Sequence, residues 1–177
     1  MLIYYFLRLV YALVMASDIY FAGYRNRKRI VRNTIEWFLP KYVGGHILSI
    51  CVHDKRMNRE GTHAACSVVG RCCRPREFMI EMNNSLDENE YISSLIHELI
   101  HIKKWIFQQR ITRENLKNFW YGEHIDDDVE YMELPWEKEA YYLEDKVFKR
   151  YLKSKDYISM KNKILMLLST LNLSTIY

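Results

Sequence analysis

The chain has 177 residues, 49% hydrophobic and 27% charged, with a formal net charge of +4. That length buries one good core, and the composition excludes a disordered chain. The charge excess is mild but uneven: Arg25, Arg27, Lys28, Arg29 and Arg32 form a basic run, and Glu123, Asp126, Asp127, Asp128, Glu130 and Glu133 an acidic one.

The chain begins with an apolar stretch, Leu2 to Ala16, interrupted by Arg8. It is apolar all round, so it needs burial in protein or lipid. It is shorter than the roughly 20 residues that span a bilayer. Three readings stand: a buried or docking helix, a membrane anchor, or a signal peptide, the last weakened by the missing basic n-region. The basic run after it would keep the rest of the chain in the cytoplasm if the stretch enters a membrane. Both charged runs read first as solvated surface. Arg25 to Arg32 also fits a nucleic-acid or membrane-surface patch, and the acidic run marks a loop.

Ile30, Ile35, Trp37 and Phe38 predict a helix over 26–39, stopped by Pro40. Gly44-Gly45 is a turn. Three short strands follow, "HILSICVHD", "HAACSVVG" and "EFMIEM", the last with Phe78, Ile80 and Met82 on one side. The turns "NREG" and "RCCRP" between them suggest an antiparallel meander. The four cysteines, Cys51, Cys66, Cys72 and Cys73, include no CxxC pair, which excludes the usual structural zinc spacing. They read as reduced thiols in a reducing compartment.

Ser85 with Glu88, or Asp87 with Glu90, makes a capping box. Beyond it Ile92, Leu95, Ile96, Leu99, Ile102 and Ile106 recur at helical spacing and predict a helix over 87–109. "LKNFWYG" reads as a short strand with "DVEYMEL" as its partner. Pro135 suits the first turn of a helix, from Trp136 to about Lys153. A last helix covers 157–171. The expected organisation is an N-terminal apolar and basic helical segment (1–44), a central domain (45–153) and a C-terminal helix packing on it (154–177). The expected fold is α+β, with a small antiparallel or mixed sheet of three to four strands beside the long helix and further helices flanking it.

The long helix carries "HELIH", His97 to His101. Residues i and i+4 lie one above the other, so two imidazoles can be aimed at one point. Zinc takes nitrogen ligands in four-coordinate sites. Glu98 can sit beside the metal without binding it, accept a proton from the attacking water and pass it to the leaving amine. The plain alternative is a pair of hydrogen-bonded histidines on an amphipathic helix. A catalytic site needs a third protein ligand. Glu137 in "PWEKEA" leads, with Ala140 one turn on letting two helices approach closely. Glu139 points about 200° away from it on the same helix, and His124 in "YGEHIDD" is the third choice. Tyr121, Tyr141, Tyr142 and His124 are candidate donors to a developing oxyanion.

Residues 45–150 resemble the small zinc metallopeptidases of the SprT-like and minimal gluzincin type, common in phage genomes. "HELIH" is the specific part of the match, and "FWYG" followed by "PWEKEA" is similar to the downstream block of phage-type members. The resemblance implies one Zn2+ per chain held by His97 and His101, Glu98 as general base, and a peptide or protein substrate that adds to an edge strand, here "EFMIEM". SprT-type members take a histidine as third ligand. Gluzincins take a glutamate from a later helix, often with an aspartate one turn on, a place Tyr141 holds here. The competing expectation is a catalytically silent metal-binding or scaffold module docking to nucleic acid, membrane or a larger assembly.

Overall fold

The computed structural model describes residues 17–23, 27–57, 61–70, 74–108, 110–112 and 118–173, with side chains for all of these except 110–112 and 156–173. The apolar stretch 2–16, Arg25, Cys72 and Cys73 lie outside the described residues, and Cys51 and Cys66 are not joined in a disulfide. The protein is α+β. A four-stranded sheet has the order β1 (Asp18–Gly23), β2 (Ser49–Lys55), β4 (Glu77–Asn83), β3 (Ala64–Val68). Helix α2 (Glu88–Ile106) packs on it, and helices α1 (Lys28–Tyr42) and α3 (Pro135–Leu173) lie against α2. A second, three-stranded sheet joins β5 (Arg110–Thr112), β6 (Asn118–Trp120) and β7 (Glu123–Ile125).

The main sheet is mixed rather than an antiparallel meander. β1, β2 and β4 run parallel, and only β3 is antiparallel to its neighbour β4. Side-chain size accounts for which strand takes the edge. β2 and β4 send Ile50, Val52, Phe78, Ile80 and Met82 into the core. β3 offers only Ala64, Cys66 and Val68, each partly buried, on its inner side, less apolar volume than β2 or β4 carries. The segment "EFMIEM" is therefore interior, paired on both sides, and the edge belongs to β3. β1 was hidden by the apolar stretch before it. Its last residue, Gly23, has φ +75°, and a Cβ there would fall 2.0 Å from the Asp54 carbonyl oxygen, so the close approach of β1 to β2 needs glycine.

α1 runs through Pro40 to Tyr42. Pro40 and Glu36, whose carbonyl loses its helical donor, are both exposed, so water can serve that carbonyl. Val31, Ile35, Phe38 and Leu39 join the core. Arg27, before α1, donates to the Leu86 carbonyl at 2.5 Å and lies 4.5 Å from the Tyr91 ring centroid. Lys28 and Arg32 flank the Phe21 ring.

α2 begins with the second of the two expected capping boxes. Asp87 accepts from the Glu90 amide at 2.9 Å, and Glu90 accepts from the Asp87 amide at 3.1 Å. Ile92, Leu95, Ile96, Leu99 and Ile102 are fully buried, each worth about 1.5–3 kcal/mol of apolar transfer. In its first turn Tyr91 donates its hydroxyl to the buried Asp54 carboxylate at the end of β2.

The expected partner of "NFW" is different. Tyr121 and Gly122, with φ of 49° and 91°, make a two-residue turn with both angles positive, as tight hairpins require. Glu123–Ile125 thus pairs with β6, and "DVEYMEL" instead contains a 3₁₀ turn, Tyr131–Glu133. The two expected C-terminal helices are one, because residues 153–157 carry no proline or glycine to interrupt it. Among the described residues no helix is long and apolar enough to cross a membrane.

Candidate metal centre

The helical pitch of α2 brings the His97 and His101 Nε2 atoms to 3.1 Å from each other. Glu137, in the first turn of α3, reaches in from the facing helix. Its Oε2 lies 3.2 Å from each of the two nitrogens. All three residues are buried. Ala140, one turn after Glu137, is fully buried in the core, so a small side chain permits the close approach of the two helices. Donors held about 2.0–2.1 Å from one tetrahedral ion stand about 3.3 Å apart. Two imidazole nitrogens and a carboxylate oxygen, nearly equidistant at that spacing, can hold one metal ion.

The competing third ligands lie elsewhere. Glu139 Oε2 is 3.7 Å from Lys104 Nζ. His124 is on β7 rather than in a loop, with Nδ1 3.3 Å from an Asp126 oxygen and its ring against Phe119.

A carboxylate that sequence reasoning missed completes the surroundings. Glu144 Oε2 is 3.0 Å from His97 Nδ1, and its other oxygen accepts from the Ser93 hydroxyl at 2.6 Å. Glu144 follows Glu137 by seven residues, which on an α-helix returns to nearly the same face. That spacing is the one mark of it in the sequence, and solvated helix faces share it. The closer position, Tyr141, puts its ring edgewise on His97 at 4.7 Å between centroids. A carboxylate on the outer nitrogen fixes the imidazole's tautomer and orientation and raises its basicity.

The acids around the cluster favour positive charge on His97. Burial alone would lower His97, but hydrogen bonds with Glu137 and Glu144 and the charges of Glu98 and Glu144 outweigh it and raise it to about 9. Burial lowers His101 to about 4, against the pull of Glu137. Glu137 is held well below the usual carboxylate range: burial opposes this, and hydrogen bonds from His101, His97 and Tyr131 prevail.

Glu98 is buried at 6% exposure and lines a cleft of about 340 Å³ together with His101 and Glu137. Ala64, Ala65 and Cys66 of the β3 edge form another stretch of its wall. Tyr131, in the 3₁₀ turn before α3, lines the same cleft and is hydrogen-bonded to Glu137. Tyr131 is 59% exposed as a residue, and partial burial at the cleft, then the charge of Glu137, pushes its phenol up, so the hydroxyl keeps its proton. The tyrosines singled out from the sequence are placed differently. Tyr121 is exposed in the β6–β7 turn, Tyr142 is exposed with Lys146 Nζ 3.6 Å from its ring centroid, and Tyr141 stacks on His97.

No family model, no curated protein and no solved structure matches this chain. The reading of the site rests on its own geometry.

Proposed function

We propose that the protein is a zinc-dependent peptidase of the small gluzincin type. The observation that carries this reading is the position of Glu98, beside a two-histidine, one-carboxylate cluster and facing a cleft bordered by a sheet edge. A zinc ion held by His97, His101 and Glu137 would supply a Lewis acid and an acidified water. The glutamate on a later helix favours the gluzincin pattern over the SprT pattern with its third histidine. Glu144 takes the orienting role, and it stands seven residues after Glu137 rather than one turn on.

The chain's own residues divide the remaining work. Glu98 accepts the proton of the attacking water and returns it to the leaving amine. Tyr131 can turn its one hydroxyl proton from Glu137 to the carbonyl oxygen as negative charge develops there. The edge of β3 binds an extended peptide by main-chain hydrogen bonds, with Ala64 and Ala65 leaving room for substrate side chains. The substrate-binding strand is thus β3, in place of "EFMIEM".

The test uses the full chain and an unstructured protein substrate. The wild type should contain one zinc and cleave, and a chelator should stop it. Glu98→Gln should keep the zinc and lose about 10²–10⁴-fold in rate. A Glu98→Gln protein as active as the wild type would sink the mechanism. A zinc-loaded wild type without turnover on any peptide would favour the silent binding module.

A further inference from the structure

Lys104 is one of the most buried side chains, at 1% exposure. It lies on α2, three residues after His101. Burying a lysine is costly unless its donors are used, so its partners carry information. Its Nζ donates to the backbone carbonyl of Trp136. It also lies 3.7 Å from Glu139 Oε2 and 5.3 Å from the Trp120 ring centroid. Two of these partners bracket Glu137 in the chain, one on each side, and the third belongs to the small sheet.

We propose that Lys104 is a positioning residue that selects which of two neighbouring glutamates becomes the third metal ligand. The start of α3 carries two acids on opposed faces, Glu137 in the first turn and Glu139 just beyond it. A small rotation of this turn about its axis would withdraw Glu137 from the histidines. Lys104 prevents it in two ways. The bond to the Trp136 carbonyl pins the backbone next to Glu137. The charge of Lys104 holds Glu139 on the far side, away from the cluster. Both contacts start from the helix that carries the histidines, so the ligand turn is referenced directly to the motif. A leucine or methionine would fill the same volume without the burial cost. It would leave the rotation of α3 to apolar packing, which is less directional.

This inference rests on the reading of His97, His101 and Glu137 as metal ligands, and the test separates the two. Zinc affinity is measured by competition with a chromophoric chelator for the full chain and for K104M, E137A and the double variant. Outer partners of metal ligands typically contribute about 10–100-fold in affinity, so K104M should weaken zinc binding at least about tenfold. The same substitution should not weaken zinc binding further once Glu137 is gone, and strengthens it where the released Glu139 takes the empty place, because a positioning residue acts only through its ligand. A merely structural lysine would weaken zinc equally in both backgrounds, and that result overturns the proposal, as does K104M binding within about twofold of wild type. If K104M fails to fold by circular dichroism, Lys104→Gln, which keeps a side-chain donor, is read through the same cycle. A wild type that binds no zinc refutes the metal centre itself and takes the positioning role with it.

Discussion

His97 and His101 come from one helix four residues apart, and Glu137 comes from another. The two sides are anchored in different ways. The histidine side is set locally: α2 is capped by Asp87 and Glu90 and buries Leu95, Ile96, Leu99 and Ile102 around the motif. Once that helix exists, its pitch aims both imidazoles together. The carboxylate side is set by tertiary contacts. The first turn of α3 is held by Lys104, by Tyr131 on Glu137, and further along by Glu144 against His97 and Ser93. Damage to the first side should therefore appear as lost stability, and damage to the second as lost metal affinity.

The largest effect on the first side is expected from Leu99→Ala. Leu99 lies between the two histidines and is fully buried in the core. The truncation should cost about 2–5 kcal/mol, the range for a buried leucine that leaves a cavity. Urea unfolding in the presence of a chelator measures this without metal linkage. A loss under about 1 kcal/mol would mean that the core around the motif can collapse onto the gap, and that the motif helix is less rigidly set than its burial indicates.

Glu144→Gln tests the second side. The amide keeps the size of the side chain but loses the charge that faces His97 Nδ1 at 3.0 Å. Zinc affinity should fall by about 10–100-fold, while the urea midpoint with chelator moves less than for Leu99→Ala. Unchanged affinity would show that the carboxylate does not orient His97. A midpoint shift as large as that of Leu99→Ala would dissolve the distinction between the two sides.

What the sequence disclosed follows the same division. The motif helix, its capping box and its buried stripe are local patterns, and they read correctly from spacing alone. Glu137 was chosen over Glu139 on helical phase, and the structure brings Glu137 to the histidines. Strand order did not read, because an alternating strand carries no mark of its neighbour's direction. The small side chains of β3 were the one clue to its edge position. Glu144 and Tyr131 went unnoticed for a different reason: each gains its meaning from a residue far away in the chain. A glutamate at i+7 is common on any solvated helix face, and nothing in "DVEYMEL" indicates that Tyr131 meets Glu137. Nothing in "HIKKW" separates its two lysines, although Lys103 is only partly buried and Lys104 is at 1% exposure.

The smallest expected effect lies on the histidine side but away from the metal, at Asp54. Burial raises its pKa above the ordinary 3.8, against the hydrogen bond from Tyr91 and the charges of Arg27 and His53. A raised carboxyl binds its proton more tightly folded than unfolded. Its contribution to stability is therefore fully present below pH 3.8 and is lost as pH rises through the folded value. Asp54→Asn keeps an oxygen to accept from Tyr91 and removes the titration. The stability of Asp54→Asn relative to wild type should rise with pH across that window and then level off. Urea titrations of both proteins at matched pH, with chelator, measure the difference, in which the shared histidine cluster cancels. A difference that is flat in pH, or that falls as pH rises, would mean that Tyr91 and Arg27 already compensate the buried charge. Zinc affinity measured at neutral pH should be the same for both proteins, since among the described residues Asp54 meets Tyr91, Arg27 and His53 and no ligand. A loss of affinity in Asp54→Asn would show that the first turn of α2 transmits to His97, and that the stability of the motif helix and the metal site are coupled through its N-terminal end.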